Sequence, residues 1–308
     1  MKSKMFLNNV TVIDFAYIDD KGMIIGDSVN PKFTISGEVD PNESVVVDFS
    51  TIKNELKEII DAKYSGFDHK LWVIDGYSEA WQTITGTHPR NLSIKTPHVK
   101  IDAPKDAFKF IDNLKGTDYI GSAMHQMVKE VKDELKIRHP EINVEVTIEF
   151  DDAFAGSHDF DVDMIPFRYV HGLRNSTSWG CQNIAHGHLS YLTVSTENSA
   201  NLREVEMLLR SIANDLDKMI FVWDKNIADV SSLNNLIVEY LTKRGSFKME
   251  IEGSYVESHV LILETETTVE FLAAAIAKEY EKELIHVGVK ELFVSEGLNK
   301  GAAVIIKG

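Results

Sequence analysis

Pro166-Phe-Arg-Tyr-Val-His171 and the nearby Cys181-Gln-Asn-Ile-Ala-His186-Gly-His188 decide how this chain is read. A β-strand alternates its side chains between two faces, so His186 and His188 project from the same face and can share one cation. The run that follows them, Leu-Ser-Tyr-Leu-Thr-Val-Ser-Thr over 189–196, is rich in β-branched and aromatic residues and places the pair on a strand. His171 comes from the preceding strand, Pro166 to His171. Three neutral imidazoles with no fourth protein ligand form the donor set of a catalytic zinc site, which keeps one position open for water or substrate. Cys181, the only cysteine of the chain, stands beside them in sequence.

In order, Phe167, His171, Cys181, His186 and His188 resemble the motif of the 6-pyruvoyl-tetrahydropterin synthase and 6-carboxytetrahydropterin synthase family, built on the tunnelling fold (T-fold). The resemblance implies zinc (Zn2+) on His171, His186 and His188, and Cys181 as a general base whose thiolate the adjacent cation favours. It implies an Asp-His pair as a second proton-handling group, matched by Asp68 and His69. It implies a Thr-x-Glu helix entry that helps bind substrate, matched by Thr268 and Glu270, with Thr267 where proline is usual and Phe271 where asparagine is usual. A glutamate on the last strand holds the pterin ring in that family; Glu296 is the favoured match, and Glu149 stays a candidate. The Cys-x4-His spacing is intermediate between the two branches, so the carboxy and pyruvoyl reactions both stay open.

Asp68-His69 lies over a hundred residues before Cys181, the wrong order for a single copy, and an internal repeat accounts for it. Sliding the chain on itself by 156 residues lays Asp68 on Asp224, His69 on Lys225, Ile52 on Leu208 and Leu56 on Ile212. At that shift the three histidines fall on Phe15, Asn30 and Lys32, and Cys181 falls on Ile25. The expected architecture is α+β, with two tandem T-fold domains, each an antiparallel sheet with helices packed on one face. Residues 1–156 form a degenerate copy that lacks the zinc ligands but keeps Asp68-His69; residues 157–308 form the zinc-binding copy. The family places its active sites between subunits of a barrel-like ring. Asp68-His69 of one copy is therefore expected to complete the Cys181 site of another, within the chain or across a homo-oligomer, a trimer or dimer of tandem chains.

Apolar spacing at i, i+3 and i+4 predicts helices near Ile52 to Ala62, Asp118 to Lys136, Glu204 to Lys218, Ser231 to Arg244 and Val269 to Leu284. The order in each copy reads strand, strand, helix pair, strands. Last strands are expected over Val144 to Phe150 and Val287 to Ser295. Gly86 to Pro104, with Pro89, Pro97 and Pro104, reads as an irregular insert. Phe154 to Asp161 reads as the connector between copies, with His158 a loop residue rather than a ligand.

At 308 residues the chain suits two domains, each large enough to bury a core. The excess of 48 acidic over 32 basic residues, a formal net charge of −16, argues against a nucleic-acid surface, which needs a basic patch to replace counterions. It also requires any triphosphate pocket to concentrate local cations, for which Arg168, Arg174 and Lys225 are candidates by position. One cysteine cannot form an intramolecular disulfide, no signal segment is expected, and no apolar run approaches the roughly 18 residues that span a bilayer, so a cytoplasmic location is expected. The activity the resemblance implies is that of a zinc-dependent lyase on 7,8-dihydroneopterin triphosphate. Loss of triphosphate and release of acetaldehyde would give 6-carboxytetrahydropterin for 7-deazaguanine (queuosine precursor) synthesis. The alternatives are a 6-pyruvoyl-tetrahydropterin synthase-type triphosphate elimination, or a non-catalytic zinc- or pterin-binding T-fold protein.

Overall fold

The computed structural model describes residues 1–42, 44–75, 81–86, 89–140, 145–154, 160–197, 200–231 and 234–307. The first half runs β1 (Lys2–Leu7), β2 (Ile13–Ile18), β3 (Ile24–Glu38), α1 (Phe49–Ile60), β4 (Lys70–Asp75), β5 (Gln82–Thr85), β6 (Asn91–Lys95), β7 (Val99–Pro104), β8 (Phe108–Asp112), α2 (Tyr119–Arg138) and β9 (Glu145–Asp151). The second half runs β10 (Ile165–His171), β11 (His186–Thr196), α3 (Leu202–Leu216), β12 (Met219–Trp223), β13 (Ile227–Val230), β14 (Leu236–Leu241), β15 (Ser246–Ile251), α4 (Gly253–His259), β16 (Val260–Leu263), α5 (Val269–Glu279), α6 (Glu281–His286), β17 (Val289–Glu296) and β18 (Lys300–Ile305).

The long helices start and bury as their sequences dictate. The Asp48 carboxylate accepts the Thr51 N–H and caps α1, which then turns Ile52, Leu56 and Ile60 inward at helical spacing. Asp118 caps α2 through the Gly121 N–H, and Met127, Val131 and Leu135 line its buried stripe. In α3 the stripe is Val205, Leu209, Ile212 and Leu216. Each fully buried side chain of this size contributes about 2 kcal/mol.

Two six-stranded sheets repeat one pairing pattern. In the first, β2 and β3 are antiparallel, β4 and then β8 continue in parallel beyond β2, and β9 lies antiparallel on the far edge of β3. In the second, β10 and β11 are antiparallel, β12 and β16 continue in parallel, and β17 lies antiparallel on β11. The differences are terminal: β1 extends the first sheet along β3, and β18 extends the second beyond β17. A third sheet, β13-β14-β15-β7-β6-β5, is built from both halves and joined where β7 pairs antiparallel with β15.

Three cores follow from these layers. α1 and α2 cover the first sheet around Phe15, Phe67 and Trp72, with the Phe15 and Trp72 rings stacked at 3.5 Å. α3 and α5 cover the second around Phe167, Tyr169, Leu209 and Leu272. The third core mixes both halves, with Ala16, Leu71 and Ile101 against Val170, Ile220, Phe247 and Met249. Where β3 passes β11 the backbones nearly touch: a side chain on Gly26 would collide with the Tyr169 carbonyl, and one on Gly187 with Gly26 itself. The glycine of His186-Gly187-His188 is thus a packing requirement between the halves.

Several expectations from the sequence need correction. The two sheets are mixed rather than antiparallel, because β4, β8, β12 and β16 each return after a crossover. The long helices of each half, α1 and α2 in the first and α3 and α5 in the second, are separated by strands, not adjacent. Within Ser231 to Arg244 lies β14, whose Leu236, Val238 and Tyr240 alternate inward and pair with β15; residues 232–233 lie outside the described residues. Gly86 to Pro104 contains β6 and β7, with Pro97 in their turn and Pro104 at a strand end, positions that need no ladder N–H. The helix expected over Val269 to Leu284 breaks at Tyr280, whose hydroxyl is held by Asp215 of α3 at 2.9 Å. Val144 and residues 155–159 of the expected connector, including His158, lie outside the described residues.

The ungapped shift of 156 residues also fails at the site. Asp68 Oδ1 accepts the Asp14 N–H at 2.9 Å, and His69 N–H donates to the Asp14 carbonyl at 2.6 Å. Asp217 Oδ1 accepts the Arg168 N–H at 2.9 Å, and Lys218 N–H donates to the Arg168 carbonyl at 2.6 Å. His69 (φ 53°) and Lys218 (φ 64°) share the left-handed conformation that these paired contacts impose. Asp68-His69 therefore corresponds to Asp217-Lys218, while Asp224 and Lys225 are exposed beyond β12. Register then places Tyr17, Ile25 and Asp27, not Phe15, Asn30 and Lys32, opposite His171, His186 and His188. The shift breaks because the connections differ in length: residues 61–69 separate α1 from β4, but only 217–218 separate α3 from β12.

Candidate active site

β10 and β11 bring His171 and His186 directly across from each other, and the strand period adds His188 on the same face. All three are buried to within 1% exposure, and one ring nitrogen from each lies within 4.8 Å of the others. Their orientation is fixed from behind. His171 Nδ1 lies 2.8 Å from the Thr267 carbonyl, and His186 Nδ1 lies 2.8 Å from the Asn183 carbonyl. His188 Nδ1 lies 3.2 Å from Asp14 Oδ1, within ion-pair distance though not aligned as a hydrogen bond. With Nδ1 so occupied, the Nε2 atoms face inward: those of His171 and His188 are 3.1 Å apart, and that of His186 is buried without a hydrogen-bond partner.

An orphaned buried nitrogen amid converging imidazoles is what a bound cation would satisfy, and the donors suit zinc. Burial and the neighbouring His188 push the pKa of His171 down to about 3, and burial with His171 pushes His186 well below the usual imidazole value. Both are therefore neutral at pH 7, the form that binds metal. Among the described residues, Cys181 does not join this set; its sulfur groups instead with His69 and His186.

Cys181 sits on the long connection 172–185, which the sequence leaves without regular structure but the fold ties down from both sides. Arg244, with no side-chain exposure, donates through Nε to Asp106 Oδ2 at 3.0 Å and through a terminal nitrogen to the Trp179 carbonyl at 3.0 Å. Trp179 Nε1 donates to the same Asp106 carboxylate at 2.9 Å. Asn183 Nδ2 donates to the carbonyls of His69, at 3.1 Å, and Ala107, at 3.0 Å. So docked, Cys181 Sγ lies 3.5 Å from His69 Nε2, and His69 Nδ1 lies 2.6 Å from Asp68 Oδ2.

The electrostatics of this relay follow from its geometry. Burial disfavours charge on His69, but the Asp68 carboxylate outweighs it and holds the imidazole pKa well above its ordinary value. Burial would raise the Cys181 thiol, yet the His69 hydrogen bond and charge bring it down to about 7. A cleft of about 280 Å³ opens beside the dyad, lined by Lys63, Lys70, Trp179 and Arg244 along with Asp61 and Asp68. The Lys70 ammonium is buried and donates to the carbonyls of Lys63 and Asp106; burial and the Arg244 cation lower its pKa to about 8. A larger cavity of about 610 Å³, between α3, β16 and α5, has neither imidazole nor thiol in its lining.

The remaining candidates divide. Glu296, at the end of β17, is 14% exposed at its side chain; burial raises its pKa, but His188 and Lys300 outweigh this and keep it lowered, and Lys300 Nζ stands 2.9 Å away. Glu149 is exposed on β9, which leaves Glu296 as the glutamate near the imidazoles. Thr268 caps α5 without a side-chain hydrogen bond and Glu270 is exposed in its first turn; it is Thr267, 1% exposed, that touches the site. Arg174 and Lys225 are exposed, and Arg168 is paired with Asp27 at 3.5 Å. Asp14, Asn183, Thr267 and Arg244 are the contributors that sequence reasoning missed; Asp14, Thr267 and Arg244 act across 96 residues or more, which no local pattern carries, and Asn183 acts through its backbone carbonyl.

The positions that correspond to the imidazoles in the first half hold a different arrangement. Tyr17 stacks on Tyr119 at 3.7 Å, and the Tyr119 hydroxyl donates to Asp27 Oδ2 at 2.7 Å. With Arg168 closing on Asp27, this is a tyrosine, carboxylate and guanidinium cluster with no imidazole in it.

No family model and no curated protein matches the chain. Among solved structures it is similar to 6-pyruvoyltetrahydropterin synthase from Plasmodium vivax, with 20% identity over 48% of this chain and 91% of that one and a TM-score of 0.35. It is similar to the Plasmodium falciparum 6-pyruvoyl tetrahydropterin synthase at 18% identity, 48% and 91% coverage and a TM-score of 0.34. An uncharacterized protein from Wolinella succinogenes aligns at 13% identity over 47% of this chain and 96% of that one, with a TM-score of 0.32.

Proposed function

We propose that the chain is a zinc-dependent lyase of the 6-pyruvoyl- and 6-carboxytetrahydropterin synthase family, acting on 7,8-dihydroneopterin triphosphate in the manner of 6-carboxytetrahydropterin synthase. In this reading residues 1–156 and 157–308 are tandem T-fold copies, of which only the second holds metal. The observation that carries it is the meeting of an oriented three-imidazole set with the Cys181, His69 and Asp68 relay, whose parts come from opposite halves of the chain. The strand pattern repeated in the first two sheets supports the duplication. β8 and β16 end their sheets without a further strand among the described residues, and such edges support closure into a homo-oligomeric ring.

Zinc on His171, His186 and His188 would supply a Lewis acid that lowers the pKa of the substrate's side-chain hydroxyls. Cys181, with its pKa near 7, is partly thiolate at neutral pH and accepts a proton beside the open position. His69 holds or returns a proton at Nε2, with Asp68 fixing its ring and its charge. Glu296 accepts hydrogen bonds from the amino and ring N–H groups of the pterin. Lys63, exposed at the rim of the cleft beside the dyad, offers cationic charge to the phosphates in a chain whose net charge is −16. Cys181 Sγ groups with His69 and His186 rather than with all three imidazoles, which favours turnover over a closed structural zinc site.

The test is mass spectrometry of the products formed from 7,8-dihydroneopterin triphosphate by the zinc-loaded chain, with Cys181→Ala in parallel. A carboxy product that disappears in the variant supports the reading. A pyruvoyl product moves the chain to the other branch. Absence of any product with zinc bound sinks the lyase reading.

A further inference from the structure

Asp14 is a carboxylate of β2, in the half of the chain that carries no imidazole cluster, yet it is 3% exposed and reaches into the other half. Its Oδ1 lies 3.2 Å from His188 Nδ1 and accepts the Ser28 hydroxyl at 2.6 Å. The Ser28 oxygen in turn accepts the N–H of Leu189, the residue after His188, at 3.1 Å. Gly297, at φ +68°, lets the chain turn against this carboxylate; a side chain there would come within 2.5 Å of Asp14 Oδ1.

We infer that Asp14 is the positioning residue for the metal site, a carboxylate donated by the opposite half whose charge faces His188 Nδ1, favours the tautomer protonated there and leaves Nε2 for the cation. The inference rests on the reading that the three imidazoles bind metal. His171 and His186 are aimed by the backbone carbonyls of Thr267 and Asn183, whereas His188 Nδ1 faces the Asp14 carboxylate. A carboxylate in that place does more than a carbonyl: its charge raises the basicity of the imidazole and partly offsets a divalent cation held by neutral ligands.

The backbone of Asp14 has a second duty. Its N–H and carbonyl hold Asp68 and His69, so one residue sets the geometry of a metal ligand through its side chain and of the proton relay through its main chain. A side-chain substitution that keeps the backbone therefore separates the two.

The experiment is the zinc dissociation constant of the full chain at neutral pH, read by competition with a chromophoric chelator, for the native protein, Asp14→Asn and Asp14→Ala. Asn keeps the shape and removes the charge. Both variants are expected to bind zinc about tenfold to a hundredfold more weakly while the circular dichroism of the metal-free chain is unchanged. Asp14→Asn binding zinc within about twofold of the native chain would overturn the inference and leave Asp14 as a packing residue. If Asp14→Ala does not fold, the isosteric Asn variant decides alone. A native chain that takes up no divalent metal would overturn the metal reading itself, and this inference with it.

Discussion

Cys181 Sγ stands 3.5 Å from His69 Nε2 although 112 residues separate them, so the thiol and its proton partner belong to different halves of one chain. Nothing outside this chain is needed to bring the two together, and that contact governs the first prediction.

The thiolate is the form that reacts with iodoacetamide, so in metal-free protein the alkylation rate of Cys181 climbs as pH rises through a midpoint of about 7. His69→Ala removes the hydrogen bond and charge that lower the thiol and leaves burial, which raises it. The midpoint therefore moves upward, above that of the native chain. A midpoint unchanged in His69→Ala would detach the imidazole from the thiol.

Metal loading should be visible in stability. A ligand that binds the folded chain alone, present at a hundred times its dissociation constant, adds about 2.7 kcal/mol. Thermal unfolding of chelator-treated and zinc-loaded protein should differ accordingly, and elemental analysis should find one zinc per chain. His186→Ala, which removes the orphaned Nε2, should abolish the difference.

Arg244→Met removes a buried cation that holds Asp106 and the carbonyls of Trp179 and Gly180. The cost is expected at about 3 kcal/mol in denaturant unfolding, because the largely buried Asp106 carboxylate loses its cation and keeps only the Trp179 N–H. Released from its clamp, the segment 172–185 should also lose the Cys181 to His69 contact, and the alkylation midpoint should rise with it. Arg244→Lys keeps charge but not the forked geometry and should recover only part of the loss.

Gly26→Ala places a methyl group against the Tyr169 backbone, where no flexible side chain can give way. Denaturant unfolding should register a destabilisation of about 3 kcal/mol. Unchanged stability would mean that β3 does not approach β10 this closely.

Much of the site was readable in the sequence because it rests on local relations. The strand period sets His186 beside His188, β10 runs through His171 as the preceding strand should, and α1, α2 and α3 follow their apolar spacing. Short β-branched runs misled where they also satisfied helical spacing, as at Leu236–Leu241, since only pairing with β15 decides between the two. Thr267, the residue before the matched Thr268, is the side chain that meets His171, a contact made across 96 residues.

The sequence by itself determined a three-histidine donor set with a cysteine beside it, because ligand spacing and strand alternation act over a few residues. Tertiary structure alone decided that Asp217-Lys218 is the counterpart of Asp68-His69, that Asp14 stands behind His188, and that Arg244 locks the Cys181 segment to Asp106. Those relations depend on connection lengths and on the packing of one half against the other. Contacts across 138 residues leave no periodic trace in the chain that forms them.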